Sequence, residues 1–145
     1  AKQVLEDFKA KRIATQIEPD GSMPAELARA KPWRYTGYSL EFLFAVAIQG
    51  DQLGVDLWHY QTEDGRSIRA ALDHITQHLE PLPGQVNTDI LEEMGVQRIG
   101  PLLAIAARVY DEPAYGQLMN RIGWESTLDL TKTGPRIHVL PYNED

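Results

Sequence analysis

The sequence predicts an all-α protein built from antiparallel helical hairpins. Two observations carry this. Apolar residues recur at i, i+3, i+4 and i+7 along nearly the whole chain, the spacing that gathers them on one helix face. Clusters such as Pro19-Asp20-Gly21, Pro81-Leu82-Pro83-Gly84 and Gly100-Pro101 interrupt that spacing at short intervals. Each helix is therefore followed by a short loop and another helix, the pattern of stacked hairpins. Pattern alone leaves open whether the hairpins close into a bundle or form an arc.

The elements follow in order. Val4, Leu5, Phe8 and Ile13, with Ala10, Ala14 and Ile17, define the face of a first helix that Pro19-Asp20-Gly21 ends. Residues 40–48 are apolar almost all round, and their Leu, Ala and Phe content predicts a buried helix rather than a strand. Gly50 and Gly54 mark its end. Ile68, Ala71, Leu72, Ile75 and Leu79 give the cleanest amphipathic helix, with Ser67 or Asp64 as its cap. A short helix is expected from Asn87 or Thr88 to Met94. Gly100-Pro101 is expected to open the next, because proline suits a first helical turn. Asp111-Glu112-Pro113 starts a last helix carrying Tyr115, Leu118, Met119 and Ile122. The expected division is a helical domain over 1–125 and an irregular tail over 126–145, with a short strand at Arg136–Leu140.

Composition narrows the function classes. The 145 residues include no cysteine, which excludes disulfides, thiolate metal sites and a cysteine nucleophile. No run of eighteen apolar residues is present to span a membrane. The net charge of −7 is uneven. Residues 1–35 hold seven Lys/Arg against five Asp/Glu, and the remainder seven against sixteen. An acidic body argues against a nucleic-acid partner, whose phosphates demand cations. A local cluster of Arg29, Lys31 and Arg34 still suits an anionic sugar polymer.

Residues 17–38 concentrate chemistry. Asp20, Glu26, Arg29, Lys31, Trp33, Arg34, Tyr35 and Tyr38 lie between turn residues and the apolar segment. Eliminative cleavage of a uronate polymer needs three things: a cation for the carboxylate beside C5–H, a base for that proton, and an acid for the departing O4. Arginine suits the first, since its planar fork grips a carboxylate and stays charged. A tyrosine can move protons where neighbouring cations favour the phenolate. Arg29 and Tyr35 supply these groups six residues apart.

This motif resembles one in the alginate-lyase-like polysaccharide lyases. Asp20-Gly21, then Glu26-Leu27-Ala28-Arg29, then Trp33-x-Tyr35 is similar to the family's Asp-Gly…Glu-Leu-Ala-Arg…Tyr signature, and Gly54-Val55-Asp56-Leu57-Trp58 is similar to its Gly-x-Asp-Leu-Trp segment. The resemblance covers roughly residues 17–79. It implies part of an incomplete α/α toroid of helical hairpins, and a lyase acting on an alginate-like uronate polymer without a cofactor or metal. It implies that Arg29 contacts the substrate carboxylate, that Tyr35 is the catalytic tyrosine, and that Tyr38 lines the same cleft, with Trp33, Lys31 and Arg34 shaping or charging it. It also implies a periplasmic or secreted location. The family places a paired Asn-His upstream of this motif, and residues 1–16 contain neither. The chain is therefore expected to be the carboxyl-terminal part of such a domain, partnered by an amino-terminal portion.

Plainer readings stand beside these. Arg29 can pair with Glu26 across one helical turn, and Tyr35 can be an ordinary boundary aromatic. Trp58 is expected to pack, and Trp33 is balanced between packing and sugar stacking. His74 and His78, at i and i+4, are expected on the exposed face of their helix rather than on a metal. Two other functions fit the composition: a glycoside hydrolase using Asp20 and Glu26 as its carboxylate pair, and a sugar-binding module without catalysis.

Overall fold

The computed structural model describes residues 1–124, and the strand expected at Arg136–Leu140 lies outside them. Among the described residues the secondary structure is helical, with no strand. Two compact units divide the chain, one over Ala1–Met94 and one from Gly95 onward.

The first helix begins as α1 (Lys2–Phe8), widens into a π turn at Lys9–Ile13 and finishes as α2 (Ala14–Gln16). Leu5 and Ile13 are eight residues apart, whereas two α turns take about 7.2. The wider π turn absorbs the excess, so Leu5, Ile13 and Ile17 are all buried. The expected face is corrected at one edge: Val4 is 69% exposed and Ala10 is also exposed. Arg66 satisfies the helix end by donating to the Ala14 and Ile17 carbonyls at 3.4 and 3.1 Å.

A tight turn follows, in which the Gly21 N–H bonds the Glu18 carbonyl at 2.8 Å and the Glu18 N–H bonds the Ser22 carbonyl at 2.8 Å. The short α3 (Pro24–Leu27) leads to the long α4 (Pro32–Gln52), which starts well before the apolar segment that announced it. Both helices begin with proline at their first position. One side of α4 buries Leu40, Leu43, Phe44, Ala47 and Ile48. Trp58 packs edge-on against Phe44 with ring centroids 4.9 Å apart, and its indole N–H donates to Asp51 at 2.9 Å. Its packing role holds.

α5 (Ile68–Leu79) buries all five of its expected apolar residues, and the Ser67 hydroxyl accepts the Ala70 N–H at 2.9 Å. α6 (Thr88–Met94) packs on both α4 and α5. No side chain of its own caps α4. Instead the Glu93 carboxylate on α6 accepts the Trp33 and Arg34 N–H groups at 2.5 and 3.1 Å. A carboxylate there satisfies orphan donors and faces the positive end of the helix. Glu93→Ala is expected to destabilise this unit by about 1–2 kcal/mol, read as a lower urea midpoint at unchanged slope. A midpoint equal to the parent's would show that water replaces the cap without loss.

In the second unit, α7 (Val96–Val109) and α8 (Pro113–Arg121) form a hairpin. Here the expected start is corrected. α7 begins five residues before Pro101, with the Gly95 carbonyl accepting the Arg98 and Ile99 N–H groups at 3.1 Å each. Proline inside a helix forfeits one ladder bond. Burial of Ile99, Leu102 and Leu103 on this stretch offsets it.

Candidate functional site

A cleft of about 530 Å³ opens on the first unit, and three helical segments wall it. The first helix contributes Arg12, Thr15 and Gln16, with Glu18 just beyond. The α3 segment contributes Met23 to Glu26 and Arg29. From α4 come Tyr35, Tyr38, Ser39 and Phe42, at i, i+3, i+4 and i+7 and hence on one helix face.

Arg29 and Tyr35 meet in this cleft. The Arg29 Cζ lies 3.7 Å from the Tyr35 ring centroid, a guanidinium stacked on an aromatic face. Its Nη1 is 3.8 Å from a Glu26 carboxylate oxygen, an ion pair beyond hydrogen-bond reach. The Arg29 side chain is 50% exposed, so its donors face solvent and any ligand in the cleft. Tyr38 stands edge-on to Tyr35 at 5.7 Å and is 41% exposed.

The other expected site residues lie elsewhere. Each α-helical residue turns about 100°, which swings Trp33 and Arg34 off the face that Tyr35 occupies. Trp33 stacks on His74 of α5 at 5.9 Å and lies tilted against His78 at 5.1 Å. Lys31 and Arg34 line a separate concavity with Asp89, Glu92 and Glu93. Glu26 lines the cleft, but Asp20 does not. The Asp20 carboxylate accepts the Ser22 N–H at 2.9 Å, and hydrogen bonds from the Ser22 hydroxyl and amide hold it below the usual carboxylate range. The carboxylate pair expected of a hydrolase is thus not assembled from these two residues. Arg12, Glu18, Ser39 and Phe42 are cleft residues that the motif did not reveal. The i, i+3, i+4, i+7 stripe through Tyr35 was the available signal for Ser39 and Phe42.

The cleft falls within the segment that matches a known family. The profile of the family described as alginate lyase matches residues 1–83, more than half of the chain. This chain belongs to the alginate lyase family. A solved alginate lyase from Bacteroides ovatus superposes with a TM-score of 0.71 at 26% identity, over 95% of this chain and 35% of that one. The chain thus spans about a third of that lyase's length. Its helices share that lyase's fold, which agrees with the helical-hairpin toroid expected of the family. No curated protein matches the chain.

Outside the cleft lining, this alginate lyase family member has one feature that corrects the expected exposure of α5. His78 is exposed as expected, but His74 is only 9% exposed. The Trp33 ring stacked on it and the Gly21 backbone close beside its Cβ come from other elements. Its Nε2 has no hydrogen-bond partner among the described residues. Burial above all, then the neighbouring His78, lowers its pKa, while the charge and backbone of Asp20 oppose the shift. The unfolded chain takes up this proton near pH 6.5, the folded chain only at lower pH. Within that window the unfolded state holds more protons, so stability rises with pH there. The contribution is complete above about pH 6.5 and is lost as pH falls toward the folded value. Between about pH 7.5 and 5.5, the melting temperature of a His74→Phe variant should fall less than the parent's. Parallel curves for the two proteins would assign the pH dependence to other groups. Among the described residues, no cluster of three or more His, Asp or Glu could hold a metal.

Proposed function

We propose that this chain forms part of the active site of a polysaccharide lyase that cleaves an anionic, alginate-like uronate polymer by β-elimination. The observation that carries the reading is the stacked pair of Arg29 and Tyr35, which joins two walls of the cleft. Family membership supports the reaction class. The solved relative's description as an alginate lyase supports the substrate class.

The roles follow from the chemistry of elimination. A uronate enters with its carboxylate on the Arg29 guanidinium, which draws off the charge that builds when C5 loses its proton. The electron pair of the C5–H bond becomes the C4–C5 double bond as the C4–O4 bond breaks. The Tyr35 hydroxyl gives its proton to O4, so the leaving sugar departs as a neutral alcohol. The C5 proton goes to the histidine of the upstream Asn-His pair, after which Tyr35 regains its proton from solvent, or to the Tyr35 oxygen. In the second case that oxygen hands it on to O4 and returns to its starting state within one turnover. Tyr38 offers a partly exposed ring for the sugar's apolar face. Lys31 and Arg34 are proposed to contact the polymer from outside the cleft, where three carboxylates share their concavity, and Trp33 to hold the start of α4. An Asn-His pair is absent from residues 1–16. The proposed complete site draws it from a further amino-terminal portion of the same domain. The chemistry proposed requires no cofactor. No helix among the described residues is long and apolar enough to cross a membrane, and a periplasmic or secreted location is part of the proposal.

Incubation with alginate, polymannuronate, polyguluronate and glucuronan tests this, followed by ultraviolet absorbance of the new double bond. At least one polymer is expected to give a rising signal. New reducing ends without that chromophore would mean hydrolysis. Saturable binding without turnover would mean a sugar-binding module.

A further inference from the structure

We infer that Arg12 is a second carboxylate-binding residue, and that through it the cleft holds two or more uronates of one chain. This inference rests on the lyase reading for the identity of its ligand. It comes from a different wall of the cleft, which the Arg29–Tyr35 motif does not include.

Charge compensation within the cleft is the first argument. Four charged side chains line it: Arg12, Glu18, Glu26 and Arg29. Glu18 pairs at 3.7 Å with Arg66, which lies outside the lining, and Glu26 pairs with Arg29. The Arg12 guanidinium has neither an ion pair nor a hydrogen bond among the described residues. It is exposed at the cleft wall in a chain whose net charge is −7. An uncompensated guanidinium in a concave site is a ready partner for an anion, and its fork suits a carboxylate.

The second argument is local structure. Arg12 lies in the π turn at Lys9–Ile13. Such turns are rare and recur where a helix serves a site. This one keeps Ile13 wholly buried while its neighbour Arg12 reaches the cleft. The third argument is size and lining. At about 530 Å³ the cleft falls within the roughly 300–1,000 Å³ of sites for drug-sized ligands, which exceed one sugar ring. Besides Tyr38 it exposes Phe42, 52% accessible and backed by Phe8 at 6.1 Å. Exposed rings suit sugar faces, and guanidiniums suit the carboxylates that project from them. A uronate chain presents both at every residue. A neutral glycan would leave Arg12 without a partner.

The test has two readouts on the full chain. In binding, the Tyr35→Phe protein is titrated with oligomannuronates of two, three and four residues, with and without Arg12→Ala. Neutral mannan oligosaccharides serve as the control. Affinity should rise with oligouronate length, and Arg12→Ala should weaken the tetramer about tenfold. Added salt should narrow that gap, and the neutral sugars should not distinguish the two proteins. In turnover, Arg12→Ala on the otherwise unmodified chain should raise KM by a similar factor with kcat nearly constant, and Arg12→Lys should recover part of the loss. Equal oligouronate affinity, or a KM insensitive to Arg12→Ala in an active chain, overturns the Arg12 inference alone. Arg12-dependent binding by a chain that never forms the double bond overturns the lyase reading alone. No oligouronate binding by the Tyr35→Phe protein overturns the Arg12 inference together with its ligand class.

Discussion

Tyr35→Phe is expected to lower kcat by about 10²–10⁴-fold while leaving KM for the polymer nearly unchanged. The substitution removes one hydroxyl and keeps the ring. The face on which Arg29 stacks at 3.7 Å is retained, as is the edge-on contact with Tyr38. Substrate binding therefore survives, and only the proton on its way to O4 is lost. A loss confined to kcat marks an interaction made in the transition state rather than in the ground state. Arg29→Ala should behave differently. It removes the carboxylate's partner in both states and the cation stacked on Tyr35, so KM should rise and kcat fall together, by a combined factor of about 10³ or more. Arg29→Lys keeps the charge but not the fork, and should recover little. Steady-state rates of double-bond formation read all three variants. A Tyr35→Phe protein within a few-fold of the parent would remove Tyr35 from the chemistry and leave it a stacking platform for Arg29.

The pairing of Arg29 with Tyr35 was legible because both stand in one short motif with defined chemistry. Their neighbours were harder to place, and the reason is rotational. Lys31, Trp33 and Arg34 are adjacent in sequence, yet α4 already begins at Pro32, so each residue after it points about 100° from the last. Locating that helix start from Pro32 would have separated Trp33 from Tyr35. Local signals did place α5, where apolar spacing and a serine cap agree. They failed where a distant element decides the outcome. Glu93, about sixty positions away in sequence, caps α4, and Trp33 turns His74 from a surface residue into a buried one. Arg12 reached the cleft through a π turn that a single 3.6-residue period cannot reveal. Pro101 has the usual sequence meaning of a first-turn residue. The burial of its neighbours overrode that preference.

Gly21→Ala is expected to cost about 2–5 kcal/mol, and to damage the cleft beyond what lost stability explains. Two effects add. Gly21 has φ +87°, a conformation that a Cβ penalises by about 1–2 kcal/mol. The added Cβ would also lie 1.9 Å from the Ala70 carbonyl oxygen in the first turn of α5. That oxygen is backbone, so no side-chain rotation relieves the overlap, and the turn itself must lift away from α5. The chain from Gly21 runs directly through Met23 into α3 and Arg29, so the displacement carries one cleft wall away from α4 and loosens the stack on Tyr35. Gly54→Ala separates the two effects. Gly54 has φ +73° but open space around it, so only the conformational cost of about 1–2 kcal/mol applies. Urea midpoints at constant slope measure both losses, and turnover per folded molecule measures the wall. If Gly21→Ala lost no more stability than Gly54→Ala, the close approach of this turn to α5 would be without energetic consequence. If it instead lost stability with turnover per folded molecule intact, the turn would hold α5 but not the position of Arg29.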